Sequence, residues 1–417
     1  QLYEKRPDPR IETLDAGRSI NLALSVRGLH ALAAVGLHEE ILSRALPMRG
    51  RMIHSQKGDL SFQPYGKDES ESINSVSRSE LNIALLDALV KYPDVETKFN
   101  HKCIDADLDT ASAVFIKHET MEQVAVEADV LIGADGAFSA VRNAMLRLDR
   151  FDYSQDFLEH GYKELTIPAG PGGTHRIRNN ALHIWPRGHF MLIALPNFDG
   201  SFTATCFWPF DGENSFSQIK NSTQLLRFFN ETFPDVVPHM PELGKDFFAN
   251  PTGSLVTVRC KPHHYSDKVI LIGDAAHAVV PFYGQGMNAS FEDCFALNRC
   301  LDDIKDNIEL AFREYSDTRI ENTNAIADLA LENFIEMRDH TSSSAFIMKK
   351  KLEQTARRLT GGKFLPLYTM VTFTNIPYAE AVRRAKRQDG IVRNFLIGVI
   401  VFVIAALLII IATILAR

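Results

Sequence analysis

Apolar residues recur along this chain with two different periods, and the change of period divides it. Leu81, Leu85 and Leu89 follow one another at four-residue steps behind Ser77, whose hydroxyl can accept from a free first-turn amide. The spacing predicts a helix over residues 79–92. Residues 10–36 read as a turn followed by a helix with Leu29, Leu32 and Val35 on its apolar face and Gly36 at its end. Residues 95–105 and 112–118 have strand composition and lead to an apolar strand at 130–133, so helix and strand alternate as in a parallel α/β unit.

From residue 151 the pattern becomes strand-rich, with runs at 162–167, 182–186, 190–195 and 202–207. Asn197, Phe198, Asp199 and Gly200 form a turn between the last two, with glycine where a positive φ is cheap. A second, mostly antiparallel sheet is expected over 151–254. Alternation resumes at 255–316, which makes the first unit discontinuous and the space between the two units the default place for a small ligand. Residues 325–359 are helical in periodicity, with Ile326, Leu329, Phe334 and Met337 on one face. Pro366 and Pro377 break the chain beyond that helix. The expected divisions are 1–150 (with an insert at about 44–66), 151–254, 255–324, a helical region over 325–390, and a last segment at 395–416.

That last segment carries no charge and would span about 33 Å as a helix, the thickness of a hydrocarbon core. A C-terminal transmembrane helix is therefore expected. Arg383, Arg384, Lys386, Arg387 and Arg393 precede it and only Arg417 lies beyond, which places the main body on the cytosolic side.

Composition narrows the picture. With 417 residues, 45% of them hydrophobic, the chain can bury a large core of two or three packed units. The net charge of -7 argues against nucleic acid as a partner. Cys103, Cys206, Cys260, Cys294 and Cys300 are scattered without a C-x-x-C pair, and His263, His264 and His277 lack metal spacing. Neither a disulfide framework nor a metal site is expected.

Three segments carry candidate chemistry. KVILIGDAAHAVVPFYGQGMN (residues 268–288) runs from an apolar strand through Gly273 and Asp274 into a glycine-rich turn that opens a helix near Met287. A carboxylate at a strand end and bare amides at a helix start make a place for a large polar cofactor. VLIGADGAFSAVR (130–142) repeats strand, glycine turn and helix around Asp135. Tyr3, Glu4, Lys5 and Arg6 close a strand with an acid where dinucleotide folds hold a ribose. Each alone is weak; a tight turn, a loop triplet and a surface acid would look the same.

Together, in this order and spacing, the three segments resemble the class A flavin-dependent aromatic hydroxylases. RSINLALSVRG (18–28), PMRGRMIHS (47–55), FDYSQ (151–155), LHIWPR (182–187), PFYGQGMNASFEDC (281–294) and FLPLYTMVTF (364–373) are similar to the kynurenine 3-monooxygenase family within that class, over nearly the whole chain. The resemblance implies a Rossmann-like α/β FAD-binding domain with a β substrate domain, C-terminal helices and a membrane-anchoring end. Family members begin with a strand and a G-x-G-x-x-G turn, roughly thirty residues that would precede Gln1.

It further implies FAD and NADPH as cofactors, L-kynurenine and O2 as substrates, hydroxylation at C3 through a flavin hydroperoxide, and the mitochondrial outer membrane as location. Cofactor contacts carried over by position are Tyr3, Glu4, Lys5, Arg6, Ala23, Arg78, Cys103, Asp135, Asp274, Met287 and Asn288. Arg51, Tyr65, Asn333 and Tyr368 match the positions at the substrate's amino-acid head, and a planar guanidinium suits a carboxylate better than an ammonium does. From the residues alone, Arg51 is not distinguishable from Arg49. Phe282 and Tyr283 are expected near the substrate ring. No residue is assigned as an acid or base catalyst, because the cofactor carries the hard chemistry. Two other readings stay open: a related hydroxylase of another aromatic substrate, and an inactive membrane-tethered fragment. Oligomeric state is not legible.

Overall fold

The computed structural model describes residues 1–11, 21–66, 71–340, 357, 360 and 363–415. In chain order the elements are β1 (Leu2–Tyr3), β2 (Asn21–Leu24), α1 (Val26–Ala34), α2 (His38–Leu42), β3 (Leu46–Met48), β4 (Gly50–His54), β5 (Leu60–Pro64), β6 (Ile73–Ser77), α3 (Arg78–Leu89), β7 (Thr97–Lys98), β8 (His101–Asp107), β9 (Ser112–Lys117), β10 (Gln123–Val126), β11 (Leu131–Gly133) and α4 (Ala140–Met145). Next come β12 (Asp152–Ile167), β13 (Leu182–Pro186), β14 (Met191–Pro196), β15 (Phe202–Pro209), α5 (Ser222–Thr232), α6 (Leu243–Ala249), β16 (Gly253–Lys261), β17 (His264–Tyr265), β18 (Val269–Leu271), α7 (Asp274–His277), α8 (Gly286–Asp303), α9 (Ile308–Ile335), α10 (Leu367–Phe373) and α11 (Tyr378–Leu415).

Two strands far apart in sequence set the frame of the first unit. β11 pairs in parallel with β18, Leu131 opposite Val269 and Gly133 opposite Leu271, so the turns after both strands emerge side by side. β1 pairs in parallel with β7, and β8 to β10 form an antiparallel sheet beside them. The helix expected over 79–92 is α3, with the Ser77 hydroxyl accepting from Glu80 N–H.

Three expected elements differ. Residues 95–105 divide into β7 and β8 because Asn100 between them has φ of 59°. In the 10–36 segment a strand, β2, precedes α1, and Val35 is exposed rather than on the apolar face; residues 12–20 lie outside the described residues. The amphipathic helix read from residue 325 begins at Ile308, where Asn307 Oδ1 accepts from Leu310 N–H, and ends at Ile335 in a π turn, Glu336–His340. Most of 341–359 lies outside the described residues.

The second sheet has seven strands in the order β16-β12-β15-β14-β13-β4-β5, antiparallel except where β13 meets β4. Alternation along its strands gives two apolar faces. One face carries Leu165, Trp185, Ala204, Cys206 and Trp208, buried under α5 and α6 through Leu225, Phe229 and Phe247. The other presents Ile53, Ile184, Met191 and Phe207 to Phe282, Tyr283 and the Ile326, Leu329, Phe334 and Met337 stripe of α9. The second face therefore looks into the junction between the two units.

The expected C-terminal transmembrane helix is corrected. Among the described residues no helix is long and apolar enough to cross a membrane. The apolar run is not a separate span: it continues α11, which starts at Tyr378, carries Arg383, Arg384, Lys386 and Arg387 in its first turns, and is packed on the body through buried Tyr378, Ala379 and Ala381. Residue 416 and many side chains of the run lie outside the described residues.

Candidate active site

A buried stitch joins three segments at the start of α8. Gly284 has φ of 67°, which lets the chain turn sharply, and a Cβ built there would come within 3.0 Å of the Ala23 methyl on β2. The Asn288 amide donates to the carbonyls of Ala23 and Gly284, both at 2.8 Å, and its oxygen accepts from Ser25 N–H at 2.9 Å. The Asn288 side chain is thus fully occupied by the scaffold, and only its backbone can serve a ligand. Met287 packs its side chain on the cluster around Leu24 and Leu32.

What this scaffold presents is an uncapped helix start. α8 has no side-chain cap and no acid in its first turn, so the amides of Gly286, Met287 and Asn288 stay available to a negatively polarised oxygen. Beside it, Gly273 turns the chain after β18 with φ of 60° and ψ of −145° and puts Asp274 into the cleft. Asp274 is accessible from the cleft yet surrounded by protein, and this desolvation pushes its carboxyl above the ordinary carboxylate range, with His277 and Arg78 opposing the shift. Arg78, the first residue of α3, is electrostatically coupled to both Asp274 and Glu164.

Asp135 sits at the start of the neighbouring helix. Its carboxylate accepts from the Ser139 hydroxyl at 2.5 Å and from Ala140 N–H at 2.6 Å, so it caps the start of α4. Arg142 in that helix donates to Ala275 O at 2.7 Å and locks the two glycine turns together. Tyr3 on β1 stacks on Phe115 of β9 with ring centroids 4.1 Å apart, and Phe115 lies opposite Cys103 on the neighbouring strand. Burial, and then the charge of Asp135, raise the Cys103 thiol to about 11. Tyr3, Cys103 and Asp135 are thus one neighbourhood. Glu4 accepts from Arg6 N–H, while Lys5 and Arg6 are exposed.

The expected substrate residues converge. Arg51, 7% exposed on β4, has its guanidinium carbon 5.1 Å from the Tyr368 ring and 5.9 Å from the Tyr65 ring, and these rings stack at 5.4 Å. Tyr283 adjoins Tyr368 at 5.5 Å. Asn333 donates to Phe282 O at 2.6 Å from α9. Arg51 Nε is buried without a hydrogen-bond partner among the described residues, the mark of a cation set to receive an acceptor. A cavity of about 620 Å³ opens here, lined among others by Tyr283, Asn333, Glu336 and Tyr368.

Glu336 was not anticipated. Its carboxylate lies 3.5 Å from Arg51 NH1. The available signal was spacing, since residue 336 is three beyond Asn333 and so shares its helical face.

These groups fit a flavin: a carboxylate to accept from ribityl hydroxyls, free amides to donate to a carbonyl edge, and glycine turns beside them. The FAD binding domain family matches residues 11–306. Among solved structures, 2-methyl-3-hydroxypyridine-5-carboxylic acid oxygenase aligns with a TM-score of 0.65 at 20% identity over 83% of this chain and 88% of its own, and Klebsiella pneumoniae HpxO complexed with FAD and uric acid with 0.63 at 16% over 87% and 88%. The fold is that of an FAD-dependent aromatic hydroxylase.

Similarity in sequence is closer. The chain is 46% identical to kynurenine 3-monooxygenase of Myxococcus xanthus over 94% of its length and 84% of the relative, 45% identical to that of Dictyostelium discoideum (95% and 88%), and 43% identical to that of Sus scrofa (95% and 83%). The chain belongs to the kynurenine 3-monooxygenase family.

Proposed function

We propose that this protein hydroxylates the ring of L-kynurenine to give 3-hydroxy-L-kynurenine, with NADPH as reductant. FAD, held at Asp274 and the first amides of α8, supplies the activation of oxygen and its transfer to the ring. Arg51 carries the reading: a buried guanidinium with an unpartnered Nε, enclosed by Tyr65 and Tyr368, matches an α-carboxylate, and the half-buried Glu336 beside it matches the α-ammonium of the same head group. Asn333 and the two tyrosines would fix the head, leaving the aryl end against Phe282, Phe207 and Ile184.

This chain's own residues bind, orient and exclude water. Phe207 and Phe282 lie 4.9 Å apart and Phe282 stacks on Phe334 at 4.2 Å, a wall that keeps the reacting edge dry. Placement at the mitochondrial outer membrane, facing the cytosol, rests on the family likeness, and fractionation of cells expressing the protein tests it. The function is tested by reducing the FAD-loaded enzyme with NADPH in the presence of L-kynurenine or of phenolic acids. Product from kynurenine alone is the expected result; turnover of a phenolic acid instead would assign another aromatic substrate.

A further inference from the structure

One buried carboxylate holds both halves of the cofactor cradle. Asp293, with no solvent exposure, lies two turns inside α8 and faces the turn after β18. Its Oδ2 accepts from Gly273 N–H at 2.8 Å and from His277 Nε2–H at 2.5 Å, and its Oδ1 accepts from Arg319 Nε–H at 2.6 Å. Arg319, on α9, also donates to Glu292 Oε2 at 2.9 Å and to Ala289 O at 3.2 Å. Glu292 in turn accepts from Arg27 of α1 at 2.9 Å. Two arginines thus balance two carboxylates, and against burial, which raises it, His277 and then Arg319 hold the Asp293 carboxyl well below its ordinary range.

Gly273 is the reason the arrangement bears on function. Its φ of 60° and ψ of −145° belong to a region that essentially only glycine occupies, and such a conformation persists where the surroundings over-determine it. The bond to Asp293 supplies that constraint one residue before Asp274. It also ties the Asp274 turn to α8, the helix whose first amides form the other half of the cradle.

We infer that Asp293 is a positioning residue for the flavin: without touching the cofactor, it fixes Gly273 so that the Asp274 carboxylate stands at a set distance from the free amides of α8. The inference rests on the reading of Asp274 and the α8 turn as the flavin site. A buried ion cluster that only supports the fold would lower stability on removal but would leave the Asp274 contribution to FAD affinity unchanged.

The test is a double-mutant cycle on the full chain. Apoprotein of the wild type, Asp293→Asn, Asp274→Asn and the double variant is titrated with FAD by fluorescence quenching, and each apoprotein's Tm is recorded. Asp293→Asn should weaken FAD binding about tenfold or more, the loss of one charge-assisted contact. The double variant should bind no more weakly than the weaker single, since both act through one contact. Wild-type affinity in Asp293→Asn, or losses that simply multiply in the double variant, would overturn the inference, as would a lowered Tm with unchanged FAD affinity. If Asp293→Asn does not yield folded apoprotein, the cycle is run with His277→Asn, which removes one of three donors; about a threefold loss, absent in the Asp274→Asn background, is expected, and no loss overturns the inference. A wild-type chain that takes up no FAD would instead remove the flavin reading itself.

Discussion

Arg51 NH1 and Glu336 Oε1 stand 3.5 Å apart, the arginine side chain 9% exposed and the glutamate 31%. Glu336 alone is too far from Arg51 for a tight ion pair, and Arg51 Nε has no partner among the described residues. The site is therefore a buried cation partly compensated, with room for one more carboxylate. A substrate carboxylate that completes it gains charge-assisted bonds in a desolvated place. Arg51→Ala should raise the KM for kynurenine by about 10- to 100-fold, following the roughly 1.5–3 kcal/mol of such contacts, while the FAD content of the purified enzyme stays normal. Steady-state kinetics with a visible spectrum of the same sample checks both parts.

Glu336 has a separable role. With the substrate carboxylate on Arg51, the glutamate is left facing the α-ammonium. Glu336→Gln should raise the KM for kynurenine roughly tenfold, yet the binding of a desamino analogue, which keeps the carboxylate and the aryl ketone, should be unchanged or improved. Equilibrium titration of both ligands into wild type and variant decides it, and an equal loss for both would show that Glu336 serves only to orient Arg51.

The sheet facing this site was legible only in part. Residues 182–186 and 202–207 were recognisable as strands because they are short runs rich in aromatic and β-branched residues. β4 was not, since all five of its residues are buried and no alternation marks it. That is why Arg51 could not be told from Arg49 in sequence: only the position of Arg51 within β4, opposite Leu182 and Gln63, brings it to Tyr65 and Tyr368. The Asp274 turn was legible because strand, glycine, acid and helix start succeed one another locally. Asp293 was not, for its three partners come from three segments that only the tertiary fold brings together.

The Asp274 carboxyl faces the cleft next to α8, raised above its usual range by the surrounding protein against the pull of His277 and Arg78. Asp274 is open to the cleft, so its carboxylate is free to take hydroxyl donors from a ligand there. Asp274→Ala should lose most of its flavin on purification, and retention of a full yellow complement would contradict that role. The fold should survive, because Gly273 keeps its bond to Asp293 in this variant.

Two buried groups should give the apoprotein opposite pH dependences. Glu164, 9% exposed on the face of β12 opposite Leu165, is pushed up to about 7 by desolvation, against the pull of Arg78. Its folded value lies above the ordinary 4.5, so its stabilising contribution is complete below about pH 4.5 and is lost as pH rises through 7. His183 lies on the opposite face of the sheet, where Nε2–H donates to Arg178 O at 2.6 Å and Nδ1 meets His54 at 2.7 Å. Burial is the largest cause that lowers it to about 4, so its contribution is complete above the ordinary 6.5 and is lost as pH falls through 4. Each effect amounts to at most about 3.5 kcal/mol at about 1.4 kcal/mol per pH unit. Glu164→Gln should therefore flatten the fall in Tm of the apoprotein between pH 5 and 8, and His183→Asn should flatten the fall between pH 6.5 and 4. A scan of Tm against pH separates the two limbs. Because Glu164 couples to Arg78 beside Asp274, the first limb should also shift when FAD binds, whereas the His183 limb, on the far face under α5, should not.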